Sequence, residues 1–292
     1  MIGIQWPLVL FTLFVCLTCG VFGTMGILAL KGKGRQLQTT GLIIACASLV
    51  VGGLAVFTHL QHWERIFNGF GHITSGITQE FIGCILLACV AIAWIVILRK
   101  GVKDIPKGLA WATIVVALVM VGFTGHSYYM PARPAWGPAF MLFYLGSACL
   151  MGPAIMWMVA AVKGDGEAEA AGVKLTFIGG IVQVASQLIY AATVAMAGVA
   201  QYGHYADPTR MTTHPVHVDS LLAVMTTGDG AAMFWGSLVL AVVAVAVAVA
   251  SRDKDADATK TFAIVAVVAA VAASVMFRVL FYQLGYSVFT LY

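Results

Sequence analysis

Four ionisable residues stand in or beside long apolar stretches of this chain. Glu80, Arg278 and His59 lie within or at the ends of such stretches, and Arg65 falls between His59 and Glu80. A charge placed in hydrocarbon is costly and marks function by default. A carboxylate, an imidazole and guanidinium groups suit the proton-coupled oxidation of a membrane-soluble hydroquinone. An imidazole that titrates near neutrality can hold one quinol oxygen and take its proton. A carboxylate can relay that proton to water, and a guanidinium can stabilise the developing negative oxygen. Three of them also have a purely structural reading. Glu80 could be an acid facing a helix dipole, Arg278 a snorkelling cation, and His59 an interfacial cap.

The elements that must position these groups follow from composition. Hydrophobic residues make up 61% of the 292 residues and charged residues 10%, against about 25% charged in a soluble domain. This excludes a water-soluble enzyme, a disordered chain and a nucleic-acid-binding domain. Eight apolar runs are long enough to cross a bilayer: about 7–30, 37–58, 79–98, 108–128, 138–162, 174–198, 231–250 and 261–282. In lipid every backbone amide needs an internal partner, so the runs should be helices. The alternation that a barrel requires is absent. The expected fold is an all-α integral membrane protein, one domain over 1–292, built as a bundle of eight transmembrane helices.

Orientation follows from the basic residues. Lys31, Lys33, Arg35, Arg99, Lys100, Lys103, Lys107, Lys163, Lys174, Arg252, Lys254 and Lys260 all flank turns on one side, and they include all nine lysines. That side should be cytoplasmic, with both termini extracytoplasmic. No basic residue precedes the first run, so a removable signal peptide is not expected. The outer connections, 61–78, 129–137 and 199–230, together with the adjoining helix ends, carry His59, His62, His72, His126, His204, His214 and His217. They also carry Trp63, Trp136, Tyr128, Tyr129, Tyr202 and Tyr205, which suit an interfacial belt. At about 1.5 Å per residue, His59 lies roughly 33 Å from the inner end of its run and Arg278 roughly 27 Å above Lys260. Glu80 sits about one turn below the outer end of its own run. All three reach the same outer layer.

Other motifs are weaker. Cys16 and Cys19 form a CxxC spacing inside an apolar helix, without the further cysteines an iron–sulfur centre needs. His214-Pro-Val-His217 with Asp219 suits a polar loop better than a metal site, so no metal ligands are assigned. No histidine lies deep in a run, so stacked haems across the bilayer are not expected. Gly20, Gly23, Gly26, Gly52 and Gly53 suit close helix approach, and Pro153 should kink the fifth helix. Without an internal electron wire, electrons taken at the outer edge must leave there, to a partner docked on the extracytoplasmic face.

The chain resembles the membrane anchor subunit of anaerobic dimethyl sulfoxide reductase over nearly its whole length. The resemblance rests on Trp6-Pro7-Leu8 with Phe11-Thr12, on His59-Leu60, Arg65, Phe67-Asn68 and Glu80, on Trp136-Gly137-Pro138 and Gly152-Pro153, and on Arg278 with Phe281-Tyr282. It implies a cofactor-free subunit of the cytoplasmic (inner) membrane that oxidises menaquinol in anaerobic respiration. It further implies an iron–sulfur electron-transfer subunit and a catalytic subunit bearing molybdopterin guanine dinucleotide. The family's quinol-site histidine and glutamate correspond to His59 and Glu80, and its two arginines to Arg65 and Arg278. The chain departs from the pattern at Gln61-His62-Trp63, at Ser274 and at Phe277. Three alternatives stand beside this reading. The same site could reduce quinone for a dehydrogenase, the bundle could be a secondary transporter, or it could be an anchor with no quinol site. A nearly charge-free bilayer midplane argues against transport.

Overall fold

The computed structural model describes residues 3–60, 62–102, 104–252 and 254–287, without the side chains of 63, 64, 66, 202–206 and 212–217. Gln61 and Lys103 therefore lie outside the described residues, as do the side chains of Trp63, Tyr202, His204, Tyr205, His214 and His217. Among the described residues, eight helices are long and apolar enough to cross a membrane. They are α1 (Trp6–Leu30), α2 (Gln38–Phe57), α3 (Gly76–Arg99), α4 (Lys107–Ser127), α5 (Ala139–Lys163), α6 (Gly166–Met196), α8 (Ala231–Ala250) and α9 (Ala256–Gln283). A short helix, α7 (Leu221–Thr226), precedes α8.

Two helices begin earlier than hydrophobicity alone predicts. α6 starts at Gly166 rather than near 174, and α9 at Ala256 rather than near 261. In both, an aspartate caps the end. Asp165 accepts from the Ala168 amide at 3.1 Å, and Asp255 accepts from the Ala258 amide at 2.8 Å. First-turn acids, Glu167 and Glu169 in α6 and Asp257 in α9, favour the positive helix end. Such caps let a helix continue past the hydrocarbon, where apolar periodicity no longer reports it. Gly164, at φ +67°, closes α5 in the left-handed conformation just before this cap.

The 199–230 connection is more ordered than a loop. It contains an antiparallel hairpin, β1 (Val199–Asp207) and β2 (Thr212–Ser220), in register from Val199 opposite Ser220 to Asp207 opposite Thr212. Asp207 shapes the turn by accepting from the Thr209 amide at 2.9 Å and its hydroxyl at 2.6 Å.

Consecutive spans pair as hairpins, α1 with α2, α3 with α4, α5 with α6 and α8 with α9, while α1 and α5 form the buried centre. Lipid offers no hydrophobic drive between helices, so close contact depends on small residues and polar ties. α1 crosses α5 at Gly20 against Gly152, where a Cβ built on Gly152 would fall 2.0 Å from the Gly20 carbonyl carbon. α6 reaches α5 at Gly179, whose Cβ would fall 1.8 Å from the Cys149 oxygen. Pro153 lies inside α5 and lacks the amide that would pair with that same oxygen. The Gly179 backbone thus covers the carbonyl left open by proline, a contact of the weak C–H···O kind. Gly23 and Gly53 meet nothing within 4 Å, so they are not the close contacts expected of them. α8 and α9 face each other through buried alanines, including Ala241, Ala244, Ala266 and Ala270. A polar tie joins α6 to this pair: Gln187 donates to the Ser237 hydroxyl at 2.6 Å, which donates to the Ala273 carbonyl at 2.7 Å.

Gly152→Val should therefore cost at least about 1–3 kcal/mol of folding free energy through overpacking, whereas Gly23→Ala should stay within about 0.5 kcal/mol. Unfolding in detergent measures both, and equal losses would show that the α1–α5 crossing is not the tight contact.

Candidate functional site

A cavity of about 540 Å³ opens at the end of the bundle away from the lysine-rich turns. Its walls come from the start of α1, the last turns of α2, the first turns of α3, the α4–α5 connection and one residue of α9. Most of the lining is apolar, with Leu8, Phe11, Leu49, Val56 and Phe81 among it. Gly53 contributes bare backbone, which explains why nothing packs against it.

The structure brings His59 and Glu80 onto this one cavity. His59 follows the end of α2 and is exposed, its amide donating to the Val56 carbonyl at 3.0 Å. Glu80 lies in the second turn of α3 and is 8% exposed. One of its oxygens, Oε1, is buried with no hydrogen-bond partner among the described residues. A buried polar atom without a partner is costly and implies a ligand, a water or a protonation event. Ser127, at the end of α4, is the polar neighbour of the carboxyl group. The cavity thus runs from an exposed imidazole to a buried carboxyl group.

Tyr128, Arg133 and Tyr282 also line the cavity; Tyr128 was expected in the interfacial belt and Tyr282 entered only through the resemblance, and none of the three was expected at the site. They sit in or against the 129–137 connection, whose shape is fixed by aromatic packing. Trp136 stacks on Phe281 at 4.4 Å between centroids, and its indole donates to the Phe281 carbonyl at 2.8 Å. Arg133 lies over the Trp136 ring at 5.0 Å and donates to the Gly285 carbonyl. Tyr190 of α6 donates to the Ala135 carbonyl at 3.0 Å. Partial burial lowers the Arg133 pKa from its ordinary value. Burial, and next the Glu80 charge, push the Tyr128 phenol well above its usual value. The Tyr282 hydroxyl is buried beside Tyr128, with no hydrogen-bond partner among the described residues. The available signal was the Tyr128-Tyr129 pair with Arg133 and Trp136, a cluster that an interfacial belt accounted for equally well.

The other two predicted residues do not line the cavity. Arg65 is exposed on a 3-10 segment, Trp63–Gly71. That segment is held to α3 by Thr78, which donates to the Gly69 carbonyl at 2.9 Å, and by Phe67 and Phe70 edge-on to Phe81. Arg278 is 1% exposed, so it does not snorkel. Its Nε donates to the Thr12 hydroxyl at 3.0 Å and its Nη2 to the Thr12 carbonyl at 3.1 Å. Its Nη1 donates to the Ser274 carbonyl at 2.9 Å and to the Ser147 hydroxyl at 3.3 Å. The guanidinium carbon also lies 5.2 Å from the ring centroids of Phe143 and Tyr144. Arg278 therefore joins α1, α5 and α9, one turn away from the cavity residue Tyr282.

Among the described residues, eight span-capable helices with α1 and α5 at the buried centre, and an apolar cavity among the helix ends away from the lysines, define a multi-pass helical membrane protein. The family model described as DMSO reductase anchor subunit (DmsC) matches residues 2–284. The chain belongs to that family, and an anchor subunit implies a complex with partner subunits. No curated protein sequence matches the chain.

Truncating Arg278 to leucine removes four buried hydrogen bonds that join α1, α5 and α9 and should cost about 2–4 kcal/mol. Arg65→Ala, at an exposed position, should stay within about 0.5 kcal/mol. Unfolding of the purified subunit in detergent compares them, and a silent Arg278→Leu would show that the three-helix tie is not structural.

Proposed function

We propose that this anchor subunit oxidises menaquinol at the cavity shared by His59 and Glu80. On this reading it sits in the inner membrane with both termini outside and passes the electrons to an iron–sulfur partner. The partner docks on the extracytoplasmic face, beside the cavity, and feeds a catalytic subunit bearing molybdopterin guanine dinucleotide. The observation that carries the reading is the buried, partnerless Oε1 of Glu80 on the wall of an apolar cavity. A volume of about 540 Å³ is within the usual range for a small-molecule site. The apolar wall suits a ring and an isoprenoid tail, and the unpaired oxygen suits a hydroxyl.

Oxidation of a quinol gives quinone, two electrons and two protons. Glu80 accepts a hydrogen bond from one quinol hydroxyl and then its proton, while His59 takes the other. The two bases differ in exposure. His59 is exposed, so protons leave to water through its side, whereas Glu80 is buried on the cavity wall. Arg133 is the cation on the cavity wall and stabilises negative charge on a quinol oxygen. Arg278 acts through packing, holding α9 and hence Tyr282 against α1 and α5. Arg65 stands outside the cavity as a surface cation at the same end of the bundle.

Glu80→Gln and His59→Ala should each reduce quinol-dependent turnover of the whole complex about 100-fold, the lower range for loss of a general base. Turnover with an artificial donor that feeds the partner directly should stay at the wild-type level. A quinol-analogue inhibitor should also bind the variants more weakly. Unchanged turnover and inhibitor affinity in both variants would leave the chain an anchor without a quinol site.

A further inference from the structure

At the opposite end of the bundle, the first turns of α6 and the turn between α8 and α9 enclose a second hollow of about 530 Å³. Lys174, Arg252 and Lys254 line it, with Glu169 the one acid among the described residues of its wall. Asp253 lies outside the described residues. Neighbouring lysines at this end are already paired: Lys33 stands 3.6 Å from Glu167 and Lys260 3.0 Å from Asp257. The three cations of the hollow have no carboxylate within ion-pair distance among the described residues. They are exposed and converge on the same space. The floor is apolar, made in part by Phe177 and Ile178. The Arg252 guanidinium is held over the Phe177 ring at 5.2 Å, which fixes its direction. Ile178 is 45% exposed and also borders an apolar groove between α1, α4, α5 and α6.

We propose that this hollow binds the phosphate-bearing headgroup of an anionic phospholipid. Among the described residues the three cations outnumber the one acid, Glu169, so the hollow attracts the negative charge of a phosphodiester. Arginine and lysine are suited to it, since one supplies a planar donor fork and the other a mobile point charge. A soluble phosphate would satisfy the cations equally well but would leave Phe177 and Ile178 uncovered. A lipid covers both, with its phosphate on Arg252, Lys174 and Lys254 and an acyl chain over the apolar floor. The site lies where the helix ends meet the headgroup layer, and basic pockets between spanning helices bind such lipids. Its occupant would tie the α8–α9 turn to α6 from outside, supplementing the Gln187–Ser237 bond that joins the same helices within the membrane.

The test uses the purified full complex, stripped of lipid in detergent and titrated with phosphatidylglycerol while thermal unfolding is followed. Phosphatidylglycerol should raise the unfolding temperature saturably. The paired substitution Arg252→Gln with Lys254→Gln should weaken the apparent affinity roughly 30-fold, at about fivefold for each cation near the surface. Arg99→Gln with Lys100→Gln, exposed cations at the same end of the bundle but outside the hollow, should leave the affinity unchanged. Equal stabilisation by phosphatidylcholine would overturn the headgroup assignment. Equal stabilisation by inorganic phosphate alone would overturn the lipid in favour of a soluble anion. Equal weakening by the control pair would show diffuse surface charge in place of a site.

Discussion

Arg278 is a cation held almost entirely out of water, and its four hydrogen bonds fall on α1, α5 and α9. A guanidinium in that position must be satisfied on nearly every side, or the bundle bears the desolvation cost. Here the satisfaction comes from neutral groups: a threonine hydroxyl and carbonyl, a serine hydroxyl, a backbone carbonyl and two aromatic faces. Those acceptors lie on different helices, so the arginine is satisfied only when α1, α5 and α9 adopt one mutual arrangement. Small residues allow the approach, as at Gly20 and Gly152, but apolar contact alone specifies position weakly in lipid. The buried cation converts a loose apolar association into a unique one. The same arrangement presents Tyr282 to the cavity and the aromatic end of α9 to Trp136.

The two ends of the bundle then differ in kind. At the lysine-poor end the loops carry structure of their own: a hairpin, a 3-10 segment and a connection pinned by Trp136, Arg133 and Tyr190. Of these, the pinned connection forms one wall of the cavity between the helix ends. At the lysine-rich end the turns are short, and Asp165 and Asp255 cap the helices that follow two of them. The proposed quinol site and the proposed lipid site thus fall at opposite ends of the bundle.

Much of this was readable in the residues because the bilayer imposes a simple rule. Apolar runs of sufficient length must be helices, and the eight expected spans correspond to the eight observed. Boundaries went astray where the helices leave hydrocarbon, at 166–173 and 256–260, because capping acids take over from hydrophobicity there. The hairpin in 199–230 was invisible for a related reason: its strands are largely polar, and pairing depends on register. His59 and Glu80 stood out because both interrupt apolar sequence. Arg278 stood out for the same reason, but its depth alone could not distinguish a cavity residue from a packing one. That difference depends on which partners reach it from α1 and α5, more than a hundred residues away. Tyr128, Arg133 and Tyr282 escaped because tyrosine and arginine near a helix end are ordinary interfacial residues until the loop fold brings them together.

The central claim is that a membrane-borne quinol enters the cavity between α2, α3 and the α4–α5 connection. Photoaffinity labelling of the assembled complex with an azido-quinone, followed by peptide mapping, tests it most directly. The account requires label on the peptides around His59–Leu60 and Tyr128–Trp136, suppressed by excess unlabelled quinone. Competable label confined to the apolar groove of α1, α4, α5 and α6, with none at those two segments, would contradict it.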